Sequence, residues 1–185
     1  SNTSDAIHDP AQAWNALTVG AVTELVHITE PGTDDYQPIA PLGGLSPFST
    51  TSSIWQSHWP LKPDVVFEGG NAAKDAIGAV WMPSLSLLTT NFRPDKRLFT
   101  TTNATSAASA LAARMAAQLM TEYPDLWPET IRALIVHSAE WTSAMKQTFL
   151  PSRDRPSKRE MAVLVRHCGF GAPDLNRALW SVKNS

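Results

Sequence analysis

The apolar positions of this chain change their spacing several times, and each change marks a predicted element. Leu17-Thr18-Val19-Gly20-Ala21-Val22 is rich in β-branched residues and has no helical period, which predicts a buried strand over 16–23. Glu30 to Ser53 carries Pro31-Gly32, Pro41, Gly43-Gly44 and Pro47, turn chemistry that predicts a long irregular connection. Asp64-Val65-Val66-Phe67 is a short apolar run stopped by Glu68-Gly69-Gly70, so a second buried strand over 64–67 is expected to end in a tight glycine turn. Asn71 to Thr102 holds no sustained period. Trp81, Met82, Leu85, Leu87 and Leu88 nevertheless carry too much apolar surface for a solvated linker, and a packed excursion is expected there.

Ser106 to Glu122 is the clearest helix, stopped before Pro124. Only Ser109, Arg114 and Gln118 are polar within its body, which predicts burial on most faces, and its alanines let a neighbour approach the axis closely. A second helix is expected over 128–138, opened by Pro128 with Glu129 in its first turn. Leu150 to Glu160 mixes Arg153, Asp154, Arg155, Lys158 and Arg159 with prolines and reads as a solvated loop, and a short last helix is expected over 173–181. Strands alternating with helices argue for an α/β architecture with a mainly parallel sheet covered on both sides. Only two or three strands can be counted, so either further strands are hidden in the irregular stretches or part of a doubly wound sheet lies outside this chain.

Composition narrows the function. Of 185 residues, 43% are hydrophobic and 17% charged, which excludes disorder as a description of the whole, and one domain is the natural reading of the length. Fifteen Lys and Arg against seventeen Asp and Glu give a net charge of -2, with no basic field for nucleic acid or an anionic membrane. No apolar run approaches the ~20 residues of a membrane span. Cys168 is the single cysteine, so there is no disulfide framework; it reads as a small buried residue, because neither it nor His167 has further ligands at metal spacing or a base and orienting group in sequence. No metal and no cofactor are expected.

The candidate chemistry sits where the long helix begins. Ser106 follows Thr102-Asn103-Ala104-Thr105 at a point where unpaired backbone N-H groups and the positive end of the helix dipole converge, a setting that stabilises negative charge on a nearby oxygen. Ser106 can be read as a nucleophile whose own N-H donates to an oxyanion. On spacing alone, Thr105 or Ser106 as a plain N-cap is the commoner reading.

Several segments, in order, resemble the C-terminal half of subtilisin-like serine proteases. Asn15-Ala16-Leu17-Thr18-Val19-Gly20-Ala21 resembles the family's strand ending in Val-Gly-Ala, Leu45-Ser46-Pro47-Phe48-Ser49 its following Phe-Ser segment, and Lys62-Pro63-Asp64-Val65-Val66 its Lys-Pro-Asp-Val strand. Asn103-Ala104-Thr105-Ser106-Ala107-Ala108-Ser109 is similar to the Asn-Gly-Thr-Ser-Met-Ala-Ser segment that carries the nucleophile. Tyr123-Pro124, the helix from Pro128, and Gly169-Phe170-Gly171-Ala172-Pro173-Asp174-Leu175 are similar to the closing segments. The resemblance implies a serine endopeptidase acting on peptide or protein substrates, with Ser106 as nucleophile, Asn103, Thr105, Gly69 and Gly70 near the site, and Asn2 in the position of the family's oxyanion asparagine. Gly70-Asn71 also reads Gly-Asn, but follows the second strand.

The chain departs from the pattern at Ala104, where the family has Gly, and at Ala110-Leu111, where Pro-His is common. An L residue at 104 is at odds with any backbone that needs positive φ there. The family's Asp and His precede the serine, in Asp-Ser/Thr-Gly and His-Gly-Thr segments, and neither occurs here. His8, His27 and His58 precede Ser106 in other contexts, and His27, in an apolar run, reads as a structural histidine. The expectation is one incomplete domain over 1–185, inactive alone and prone to form homo-oligomers through exposed apolar surface. The chain starts at Ser1 without an initiator Met, so Ser1 is not expected to be the native start; the cytoplasm is the preferred compartment. The rival reading is a non-catalytic interaction module in which Ser106 only caps a helix. An α/β hydrolase of another kind is disfavoured because Gly-x-Ser-x-Gly surrounds no serine.

Overall fold

A computed structural model of the chain describes residues 7–56, 58–150 and 155–183. Its strands are β1 (Val19–Thr23), β2 (Gln37–Pro38), β3 (Gly44–Leu45), β4 (Val65–Glu68), β5 (Ala73–Lys74), β6 (Ala79–Val80), β7 (Leu87–Thr90) and β8 (Phe99–Thr102). Its helices are α1 (Ala104–Glu122), α2 (Pro128–Ser138), α3 (Ser143–Phe149), α4 (Lys158–Cys168) and α5 (Leu175–Lys183).

The two predicted strands form the centre. β1 runs parallel to β4, with Val19 opposite Val65 and Val22 opposite Glu68, and antiparallel to the short β3. Successive side chains of a strand point to opposite faces, and Val65 and Val66, both fully buried, divide accordingly. Val65 packs with Met115 and Leu119 of α1, Ile131 and Ile135 of α2 and Ala178 of α5. Val66 packs with Val22, Met145 of α3, and Leu164 and Cys168 of α4. The sheet is therefore covered by helices on both sides, and each buried valine contributes about 2 kcal/mol of apolar transfer. The other edge of β4 is taken by the closing Gly169–Ala172 stretch: the Phe170 amide donates to Asp64 O at 2.8 Å and the Val66 amide to Gly171 O at 2.9 Å.

Several expectations need correcting. Leu17 and Thr18 stand outside β1, because the Thr18 amide is engaged by the Asp64 carboxylate at 2.7 Å. The connection after Glu30 contains β2 and β3, and the excursion over 71–102 supplies β5 and β6, which join β2 in one small antiparallel sheet, and the separate β7-β8 hairpin. Its base is packed, with Ala73, Met82 and Leu85 buried together, while its β7-β8 hairpin projects. Among the described residues the central sheet is β3-β1-β4, parallel between β1 and β4 and antiparallel between β1 and β3. α1 is buried along one stripe, Ala107, Ala108, Ala112, Met115 and Leu119, not on most faces; Ala110, Ala113, Ala117 and Met120 are exposed. Alanine is apolar enough to suggest burial in a pattern, yet small enough to tolerate exposure.

α2 coincides with its expected range, and the last helix begins two residues late, at Leu175. The solvated-loop reading of 150–160 fails at its end, where Ser157 opens α4 through a capping box: the Ser157 hydroxyl accepts from the Glu160 amide and the Glu160 carboxylate from the Ser157 amide.

Candidate functional site

The site is built where the end of β4 meets the start of α1. Glu68 closes the strand, its Oε1 accepting from the Gly70 amide at 2.7 Å and its Oε2 from the Glu24 amide at 2.6 Å. The chain then turns through Gly69 and Gly70 against the helix start. A Cβ on Gly69 would stand 2.5 Å from the Ala21 Cβ and 3.0 Å from the Ala104 carbonyl oxygen. Gly70 has φ +81°, and a Cβ there would meet the Leu85 carbonyl oxygen at 2.9 Å. The Ala104 amide donates to the Gly69 carbonyl at 2.7 Å, fixing one element to the other.

Asn103 is the N-cap residue of α1, with an extended backbone and no capping bond from its side chain. The helix-cap reading of Thr105 and Ser106 is thereby corrected: both lie inside the first turn. Ala104 adopts φ 67°, and it is the one non-glycine residue with positive φ among those described. The left-handed conformation costs an alanine about 1–2 kcal/mol. Two residues on, Ser106 is exposed, and among the described residues its hydroxyl has no hydrogen-bond partner. The first-turn N-H groups beside it lack intrahelical acceptors, as at every helix start, and suit an oxygen that acquires negative charge.

The other candidates are placed unequally. His8 is exposed and lines, with Thr105, Ser109, Leu17 and Thr18, a cleft of about 320 Å³ at the helix start. His27 is exposed, against the expectation of a structural histidine, although its neighbours Leu25 and Ile28 pack against the buried Ala73, Met82 and Leu85. His58 lies in another cleft, with Trp14 and Trp59. Asn2 lies outside the described residues. Asn71 is a fully buried clamp: its Oδ1 accepts from the Ala40 amide and its Nδ2 donates to the Leu25 and Ala40 carbonyls. Cys168 is buried, and burial pushes its thiol up to about 12. His167 stacks on Phe149 at 4.7 Å with Nδ1 2.7 Å from the Val163 carbonyl, a packing arrangement rather than a reactive pair. Among the described residues no three His, Cys, Asp or Glu side chains converge to hold a metal.

Reasoning from residues missed a buried ionic network beneath the site. Lys62 is 1% exposed, and its Nζ donates to Asp64 Oδ2 at 2.7 Å and to the Ala16 carbonyl at 2.8 Å. Arg132 of α2 approaches Asp64 Oδ1 at 3.4 Å. Lys62-Pro63-Asp64 is thus a joint that locks β4 to the approach of β1; a lysine two residues before an aspartate, just ahead of an apolar strand, was the available signal. Farther out, the Glu30 carboxylate accepts from the Ser84 amide and hydroxyl at 2.8 and 2.5 Å, and the hydroxyl bond above all holds its pKa below the ordinary value.

Comparison with known proteins agrees with the order of these segments. The sequence model of the subtilase family matches residues 1–171. An uncharacterized protein, y4bN, of Sinorhizobium fredii is 29% identical over 180 residues, covering 94% of this chain and 40% of its own length. The chain therefore spans well under half of that relative. No solved structure matches.

Proposed function

Because the chain belongs to the subtilase family, we propose that it is the C-terminal part of a subtilisin-type serine endopeptidase domain with Ser106 as its nucleophile. The observation that carries this reading is the exposed, unbonded Ser106 hydroxyl in the first turn of α1, directly after the strained Ala104. A residue in such a conformation persists only where its surroundings over-determine it, and such residues cluster at functional sites. Here the Gly69 carbonyl and the crowded Gly69-Gly70 turn impose it.

In this reading Ser106 Oγ attacks the scissile carbonyl carbon while a histidine from the preceding part of the domain takes its proton. The tetrahedral oxygen is held by the Ser106 N-H and by an asparagine amide, for which Asn2 is the candidate. The amine leaves with the proton, and water hydrolyses the acyl-enzyme. The three-stranded sheet is the end of a longer, doubly wound parallel sheet. In subtilisin itself loss of the histidine lowers kcat about 10⁶-fold, so the 185-residue chain alone is expected to stay near background.

The rival reading is a non-catalytic module in which the Ser106 hydroxyl has no chemical role. The full-length protein decides between them. Peptide turnover that falls at least ~10³-fold in Ser106→Ala supports the protease, since loss of a triad member removes most of the acceleration. Turnover that is absent, or equal in both proteins, supports the module.

A further inference from the structure

The β7-β8 hairpin leads straight into the site. Its second strand ends at Thr102, next to Asn103 and four residues before Ser106. The two strands pair only with each other among the described residues, Leu88 opposite Thr101 and Thr90 opposite Phe99. Both outer edges consequently offer backbone N-H and C=O groups to a further strand. The face shared by Leu88 and Phe99 is open, at 71% and 56% exposure, and Phe92 at the tip is 90% exposed. A two-stranded hairpin is marginal on its own and gains by acquiring a partner.

Charge selects the partner. The tip carries Arg93, Lys96 and Arg97 against Asp95, a local charge of +2 on a chain whose total is -2. Arg93 and Asp95 stand 3.7 Å apart, and Arg97 donates to the Thr100 hydroxyl at 3.0 Å, so Lys96 and Arg97 keep their charge available along the strand. An acidic segment is attracted here and repelled by the acidic remainder. Unpaired strand edges suit an extended peptide and are costly in lipid, which favours a peptide over a membrane.

We propose that the β7-β8 hairpin is an exosite that takes an extended acidic segment of the substrate, flanking the bond presented to Ser106, by strand addition beside Leu88 and Phe99 with its carboxylates at Lys96 and Arg97. This rests on the protease reading and names the substrate class for it. Arg97 precedes Thr102, the site end of β8, by five residues, about 16 Å of extended chain at about 3.3 Å per residue, so the acidic segment is expected a similar number of residues from the scissile bond.

The test uses full-length protein and two fluorogenic peptides with the same cleavage sequence, one flanked by a run of glutamates and one by serines, on either side of the bond. The expected result is a ten-fold or greater preference in kcat/KM for an acidic flank, carried by KM, weakened by salt, and lost in Lys96→Ser/Arg97→Ser while cleavage of the serine-flanked peptide is unchanged. Cleavage with no preference, or with a preference that survives the double substitution, overturns the exosite and leaves the protease reading standing. No cleavage of either peptide overturns both. Binding to phosphatidylserine vesicles that the double substitution abolishes, with peptide preference unaltered, overturns the exosite in favour of a membrane contact.

Discussion

The Ala104 amide donates to the Gly69 carbonyl at 2.7 Å, and this bond ties a left-handed alanine to a glycine whose Cβ position is already filled by Ala21. The two residues respond oppositely to substitution. Ala104→Gly removes the left-handed penalty, offset in part by the looser unfolded chain, and is expected to stabilise by about 0.5–1 kcal/mol. Gly69→Ala inserts a methyl group where there is no space and is expected to cost about 1–3 kcal/mol. Urea unfolding of both variants checks this, and equal effects of one sign would contradict the geometry.

Lys62 is expected to matter through Asp64. Lys62→Met leaves the Asp64 carboxylate buried with only the Thr18 amide and the more distant Arg132, and removal of one partner of a buried pair costs about 3–5 kcal/mol. Because Asp64 keeps those two contacts, the expected loss lies near the lower end. Lys62→Met combined with Asp64→Leu is expected to lose much less than the single change, a non-additivity visible in denaturant midpoints. A single-variant loss under about 1 kcal/mol would rule out the network as a joint.

Cys168 supplies a pH dependence. Its thiol is raised from 9.0 to about 12 by burial, so the folded state holds the proton more tightly than the unfolded chain. The contribution is fully present below the ordinary thiol range and is lost as pH rises from about 9 toward about 12. Cys168→Ala is expected to flatten the loss of stability over that window. A thiol reagent at pH 8 is expected to label the native protein only at the rate of opening, and immediate stoichiometric labelling would contradict the burial.

The 185-residue chain by itself is expected to associate. The outward side of α1 exposes Ala110, Ala113, Ala117 and Met120 beside exposed Ser106 and Ser109, a contiguous weakly polar stripe next to the proposed site. Light scattering at micromolar concentration should report a dimer or larger species, reduced by Ala113→Glu or Ala117→Glu. A monomer would contradict this.

What could be read from the chain follows its physics. β4 was legible as the short apolar run Val65-Val66-Phe67 stopped by Gly69-Gly70, α2 because Ile131, Leu134 and Ile135 fall at helical spacing behind Pro128, and α1 from its alanine run, although it begins two residues before Ser106. α4 was hidden: Lys158, Arg159 and Glu160 made its first turn resemble a solvated loop, although Ser157 and Glu160 stand at capping-box spacing. α3 has seven residues, too few to display a period. The hairpin was obscured because the apolar Leu88 and Phe99 are exposed rather than turned to a core. The placing of His8 and Thr105 along one cleft is a product of tertiary contact that no local pattern encodes, whereas the left-handed backbone at Ala104 was signalled only by the glycine that the resembling family carries there.

On the proposed protease reading, Ser106 is the nucleophile of a subtilisin-type domain. The most direct test is a fluorophosphonate probe applied to the full-length protein, with the modified residue mapped by mass spectrometry. The account predicts stoichiometric labelling at Ser106, abolished in Ser106→Ala and absent from the 185-residue chain alone. An unlabelled full-length protein, or labelling at another serine, would contradict it.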